Sequence, residues 1–248
     1  MELIKLIIFI PILYLFSCSE QEQISPYSED EPIDPQPNLI DYKSYSLDSL
    51  TGEIIDTEIM IEDFSSASTC QECHPVHYEE WSNSFHALSF DDPIFMSMWS
   101  SEKNHRPNTG TMYCVQCHAP AAFVTGYSLD GIESTSDLQN SDIPDIIKEG
   151  VSCDICHTMV SKSPSVHTKD HVAAVAEYYL NPGEDIKYGS IQDPSCNTSA
   201  SSGHTDCAYL PLFNSSSSCN PCHNQFIRGM PIEATFSEWN DHPGLSMG

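Results

Sequence analysis

Positive charge is scarce in this chain: 9 Lys and Arg stand against 36 Asp and Glu among 248 residues, a formal net charge of -27 at pH 7. A surface of that sign repels nucleic acid and anionic membranes, which excludes both as binding partners. Aliphatic residues are modest in number while Pro, Ser, Asp and Cys are plentiful, so an ordinary hydrophobic core would be thin. Long apolar runs are missing too, apart from Leu6 to Phe16 near the N-terminus, and nothing downstream reads as a membrane helix. Strand signals are weak. The chain does contain 11 cysteines and 11 histidines, and their spacing carries most of the information.

The opening residues hold a single lysine, Lys5, then the apolar run, then Ser17-Cys18. The run is too short to span a bilayer comfortably and reads as a signal-peptide core. Leu15-Phe16-Ser17-Cys18 resembles the lipobox of bacterial lipoproteins, although Phe16 is bulkier than that motif usually allows. The expectation is a signal peptide over residues 1–17 and a lipid anchor at Cys18; ordinary cleavage near Ser17 is the alternative. Residues 18–66 form an acidic tether or arm. Their first half cannot bury enough apolar surface to fold, whereas "EIIDTEIMIEDF" alternates apolar and acidic residues and suits a short strand or extended arm over the following domain.

Four segments read Cys-x-x-Cys-His: Cys70-Gln71-Glu72-Cys73-His74, Cys114-Val115-Gln116-Cys117-His118, Cys153-Asp154-Ile155-Cys156-His157 and Cys219-Asn220-Pro221-Cys222-His223. Shuffling this composition would produce on the order of 0.02 such matches. Two thiols three positions apart can add to the two vinyl groups of haem, and the adjacent imidazole then falls under the iron. Zinc can also use Cys-x-x-Cys pairs, but zinc does not require a histidine after every second cysteine. An exported chain suits haem attachment outside the cytoplasm. The reading is four covalently bound haem c groups, with His74, His118, His157 and His223 as proximal iron ligands. Of the remaining cysteines, Cys196 and Cys207 bracket a polar loop in an oxidising compartment; a disulfide between them is the economical reading and two free thiols the alternative.

Helix signals surround these motifs over residues 67–248, the haem domain. Asp92 and Pro93 open "PIFMSMWSSEKN", Pro144 opens "PDIIKE" before Gly150, Asp170 caps "HVAAVAEYYL", and "EATFSEWN" forms another short helix. The connection from Pro182 to Ser218 is rich in Ser, Asn and Gly and predicts little regular structure. The expected fold is mostly α with extensive coil, a multihaem cytochrome c architecture in which haems form the core. "YEEWSNSFHALSF", from Tyr78, is echoed weakly by "FSEWNDHPGLSMG", from Phe236, which leaves open whether His242 serves a haem already counted or a further site beyond it.

The pattern Cys-x-x-Cys-His-x-x-x-Tyr-x-x-Trp-x-x-Ser-x-His-Ala, running from Cys70 to Ala87, resembles the multihaem cytochromes of the cytochrome c-554 type. "YCVQCHAPAAF", "GVSCDICHTMV" and "SSSSCNPCHN" resemble that group as well. The likeness implies an envelope electron-transfer protein with closely packed haems, most of them held by two histidines. It places His86 at the family's distal-ligand position and His204 at a histidine commonly found before the last motif. The Cys196 to Cys207 loop and the acidic arm are not part of the pattern.

Seven histidines remain beyond the proximal four. His77 lies about 4.5 Å along a helix from His74 and on the same side of that haem, so it cannot be its sixth ligand. If Pro75 to Leu88 is helical, Tyr78, Trp81, Phe85 and Leu88 form one apolar stripe, and His86 sits about 18 Å from His74, which assigns it to a different haem. His86, His204, His105 and His171 are the distal candidates, with His167 and His242 behind them. Met96, Met98, Met112 and Met159 could supply sulfur ligands, but packing suffices to explain them. The functional expectation is an exported electron carrier, periplasmic or at the cell surface as an outer-membrane lipoprotein, whose acidic face steers a basic redox partner or another cytochrome. One rival is an oxidoreductase acting on a small nitrogen or sulfur oxyanion at a five-coordinate haem. Another is a homo-oligomer, the cytochrome subunit of a polymeric conduit. Enough histidines are present to fill both axial positions at four irons, which favours the carrier.

Overall fold

In the computed structural model the described residues are 46–47, 54–55, 59–105, 110–162, 176, 178–184, 186–194, 204, 206–227 and 230–240. The chain divides into two compact units, Met1–Asp34 and Pro35–Gly248. The first, with the expected signal peptide and Cys18, lies outside the described residues, as do His167, His171, Cys196 and His242. Among the described residues, no helix is long and apolar enough to cross a membrane.

Among the described residues of the second unit, nine short α-helices alternate with irregular chain: α1 (Ala67–Gln71), α2 (Pro75–Ser82), α3 (Pro93–His105), α4 (Gly110–His118), α5 (Pro120–Thr125), α6 (Thr135–Asn140), α7 (Asp145–Lys148), α8 (Cys153–His157) and α9 (Thr235–Asn240). Eight short strands make four two-stranded ladders among the described residues. Strands β1 (Ser46–Leu47) and β2 (Ile54–Ile55) pair antiparallel, as do β3 (Met159–Lys162) with β4 (Tyr178–Leu180) and β7 (Gln225–Ile227) with β8 (Met230–Glu233). The pair β5 (Ile186–Gly189) and β6 (Asp206–Tyr209) is parallel, with Lys187 opposite Cys207. This is the helix-rich architecture with extensive coil that the helix signals around the motifs predict.

The caps act as their chemistry dictates. The Asp92 carboxylate accepts from the backbone N–H groups of Ile94 and Phe95 at 3.0 and 2.8 Å, and Pro93 follows where no N–H is needed. Three expectations fail locally. The helix after Pro75 ends at Ser82 rather than continuing to Leu88. Asn83 Nδ2 and Ser82 Oγ both donate to Glu79 O, at 2.8 and 3.0 Å, crowding the carbonyl that also accepts from Asn83 N, and Ser84 N turns to Trp81 O at 2.8 Å, a bond three residues back that closes the last turn. Phe85, Leu88 and His86 therefore lie in turns beyond the helix, and the axial estimate of the His74 to His86 separation does not apply. The end of "HVAAVAEYYL" is strand β4, not helix; Leu180 is buried there and Asn181 N donates to Thr158 O at 2.8 Å. The stretch after Pro182 is more ordered than its composition suggests, because β5 and β6 pair within it.

Burial is uneven. One apolar cluster joins Phe90, Met96, Trp99, Val115, Leu138 and Ile147, drawn from α3 through α7 and their approaches. Phe90 packs on Phe95 and Trp99 with ring centres 6.0 and 5.4 Å apart, the offset or edge geometry that aromatic quadrupoles prefer. By contrast α2 and α9 bury no residue in the polypeptide.

Candidate haem sites

Each attachment motif is one helical turn. In the first, His74 N donates to Cys70 O at 2.8 Å; in the fourth, His223 N donates to Cys219 O at 2.9 Å. The second and third motifs end α4 and constitute α8. Positions i and i+3 share a helix face, so the turn brings both thiols to one side and leaves the imidazole at i+4 beside them.

The proximal rings are oriented from outside their motifs. His118 Nδ1 bonds Ser89 O at 2.7 Å and His157 Nδ1 bonds Tyr188 O at 2.8 Å. A carbonyl can only accept, so each Nδ1 carries the proton and Nε2 is left with its lone pair for a metal. Phe95 lies flat on His118 with ring centres 4.0 Å apart, and Phe213 lies parallel to His157 at 5.9 Å. Burial pushes the His118 imidazole below its ordinary range, partly offset by the Ser89 bond and Asp92. The neutral form is the one that ligates iron.

His86 and His223 meet with ring centres 6.1 Å apart and planes inclined by 60°. Two imidazoles on opposite sides of one metal are separated by roughly 6 Å, given metal–nitrogen bonds of about 2 Å. Burial, and then His223, hold the His86 imidazole below its usual range. His74 and His77 have the same 6.1 Å separation, but they occupy one turn at the start of α2, where proximity follows from sequence spacing alone. His77 is exposed and its Nδ1 faces Glu80 at 3.4 Å. His204 bonds Asp206 O through Nδ1 at 3.0 Å, and among the described residues its ring meets no second imidazole. His105 ends α3.

A knot of backbone bonds positions His86. Val151 N donates to His86 O at 3.0 Å; Ser89 Oγ donates to His86 O at 2.8 Å and to His118 O at 2.9 Å; and Trp81 Nε1 donates to Val151 O at 2.9 Å. Gly150 closes the knot with φ +65°, and a Cβ there would lie 2.8 Å from His86 O. The spacing pattern does not reveal Ser89, the Tyr188 carbonyl or this use of Gly150, because each acts across the fold through backbone atoms. The glycine signals only a helix stop in the sequence.

The thiols of different motifs also meet. Cys70 and Cys153 are hydrogen-bonded; the bond lowers Cys70 and, with burial, lifts Cys153 far above the ordinary thiol range. Cys222 bonds Cys117 and is pushed up by that bond and by burial. Burial pushes Cys156 up to about 12, with Cys222 and Cys219 adding to the effect. Cys207 is disulfide-bonded, whereas the eight attachment cysteines are not.

These residues fit haem. The donor set is repeated thiol pairs with adjacent imidazoles, two of which have their tautomer fixed. Large apolar side chains beside the motifs, Val76, Phe85 and Leu88, stand 63%, 86% and 47% exposed in the polypeptide, the kind of surface that a macrocycle covers. Residues 69–158, which contain the first three motifs, match the family model described as cytochrome c554 and c-prime. The fold is similar to the crystal structure of a penta-heme cytochrome c552 from Thermochromatium tepidum, with a TM-score of 0.51 and 20% identity over 74% of this chain and 52% of that one. The chain thus spans about half the length of that structure. No curated protein matches the sequence. The recurrent attachment motif, the family match across three copies of it and the shared fold together support a multihaem c-type cytochrome with covalently bound haem.

Proposed function

We propose that the chain is a tetrahaem electron carrier of the bacterial envelope. The observation that carries this reading is the contact between attachment sites. Cys70 meets Cys153, Cys156 lies by Cys222 and Cys219, and Cys222 meets Cys117, which orders the sites as one, three, four, two without a gap. Bound haem supplies a one-electron Fe(III)/Fe(II) couple at each site. The chain holds the attachment thiols together, fixes proximal tautomers through Ser89 O and Tyr188 O, and brings His86 opposite His223. His204, His105 and His171 remain the other distal candidates. Cys196 is the proposed partner of Cys207, and Cys18 the lipid-modified residue of an outer-membrane lipoprotein. The net charge of -27 suits a cationic redox partner, and electron exchange should slow as salt screens it.

A pyridine haemochrome assay should give four haems per chain; fewer would refute the count. Replacing His86 by Ala should convert one low-spin haem to high spin in the electron paramagnetic resonance spectrum and leave the other signals in place. An unchanged low-spin spectrum would remove His86 as a ligand. A high-spin signal in the unmodified protein, accompanied by turnover of a nitrogen or sulfur oxyanion, would replace the carrier reading with an enzyme.

A further inference from the structure

The third attachment motif encloses a charged residue between its cysteines. Asp154 is 1% exposed, and its Oδ1 lies 2.6 Å from Lys187 Nζ, itself 13% exposed, while Oδ2 accepts from Ser65 N at 2.8 Å. Lys187 belongs to β5, and the next residue, Tyr188, provides the carbonyl that orients His157. One strand therefore delivers both a cation to the attachment loop and the acceptor for the proximal ring. Opposite Lys187 in the parallel ladder stands the disulfide-bonded Cys207. The Ser65 bond continues to site one: Glu149 accepts from Ala67 N and Ser152 Oγ, each at 2.9 Å, and from Ser66 Oγ, joining the start of α1 to the approach to α8. Asp154 and Lys187 both act on the Cys70 thiol, with opposite signs.

We propose that the buried Asp154–Lys187 pair is a positioning and potential-setting element placed between sites one and three. This rests on the reading of those motifs as haem sites. A carboxylate beside a haem disfavours the added electron and lowers the potential; an ammonium does the reverse. Paired at 2.6 Å the two charges largely cancel. Removing either one leaves the other uncompensated in a poorly hydrated place, where screening is weak.

The experiment is a redox titration of the purified holoprotein, with haem content measured on every sample. Lys187→Gln should move the potential at site three downward, with a smaller shift of the same sign at site one. Asp154→Asn should move both upward. The double variant should return close to the parent, and Lys187→Arg should match it. A purely structural role would not reverse sign between the two single variants. Shifts of the same sign, or none at full haem content, overturn the proposal. Should Asp154→Asn fail to yield holoprotein, the comparison of Lys187→Gln with Lys187→Arg decides, and the absence of a downward shift in the former overturns it. A parent protein without covalent haem would instead overturn the functional reading itself, an outcome that the haemochrome count separates from the others.

Discussion

The middle of the described chain and its two flanks are stabilised by different means. From α3 to α8 the polypeptide builds its own interior, with Phe90, Trp99, Val115, Ala119 and Ile147 at 0% exposure. Around site one, α2 buries nothing, and after site four α9 buries nothing either. The middle sites are thus carved into a core that protein atoms alone can form. The flanking sites have apolar side chains, Val76, Phe85 and Trp239 among them, still facing outward. A helix of six or eight residues without a buried face has no stability of its own. The contrast teaches that a bound haem would be a guest in the middle and the missing half of the interior on the flanks.

That contrast can be broken by substitution. The largest effect should come from Phe90→Ala, which removes a fully buried ring from the aromatic cluster and should cost about 3–5 kcal/mol. Thermal unfolding of the holoprotein measures it, and a loss near that of a surface substitution would mean that haem dominates the middle as well. Next is Gly150→Val, where a left-handed backbone costs about 1–3 kcal/mol for a residue with a side chain. The added Cβ also meets His86 O, so the low-spin signal of one haem should broaden or shift along with the melting temperature. Gly150→Asn sharpens the cause: asparagine tolerates positive φ, so a loss close to that of valine points to crowding rather than backbone strain. Smallest is His77→Ala on exposed α2, expected to stay within about 0.5 kcal/mol and to leave every haem spectrum unchanged. A spectral change there would return His77 to the list of ligands.

Much of the candidate site was legible in the sequence because attachment is a local matter. Cys-x-x-Cys-His is one helical turn, and the four turns needed no knowledge of the rest of the chain. Caps behaved similarly, as Asp92 and Pro93 illustrate. Where prediction faltered, the deciding interaction came from far along the chain or from a competing side chain. α2 ended where the Ser82 and Asn83 side chains crowd Glu79 O and Ser84 N bonds Trp81 O three residues back. Tyr178 to Leu180 became a strand because β3 offered it a partner. The Tyr188 carbonyl and Lys187 side chain gained their roles only when β5 was laid beside the third motif. The meeting of His86 with His223 has the same character: periodicity can say that a histidine is surplus, but not which iron it faces.

The pairing of His86 with His223 has a mechanical side. An iron bound to both would clasp the chain near its first attachment site to the chain near its last, enclosing sites two and three in the loop. The entropy that such a clasp would remove from the unfolded chain rises with the number of residues enclosed, though only logarithmically, so a cross-link this long would gain somewhat more than a short one. Exchange of one axial imidazole would then be felt as lost cooperativity throughout the enclosed segment, not as fraying at an end.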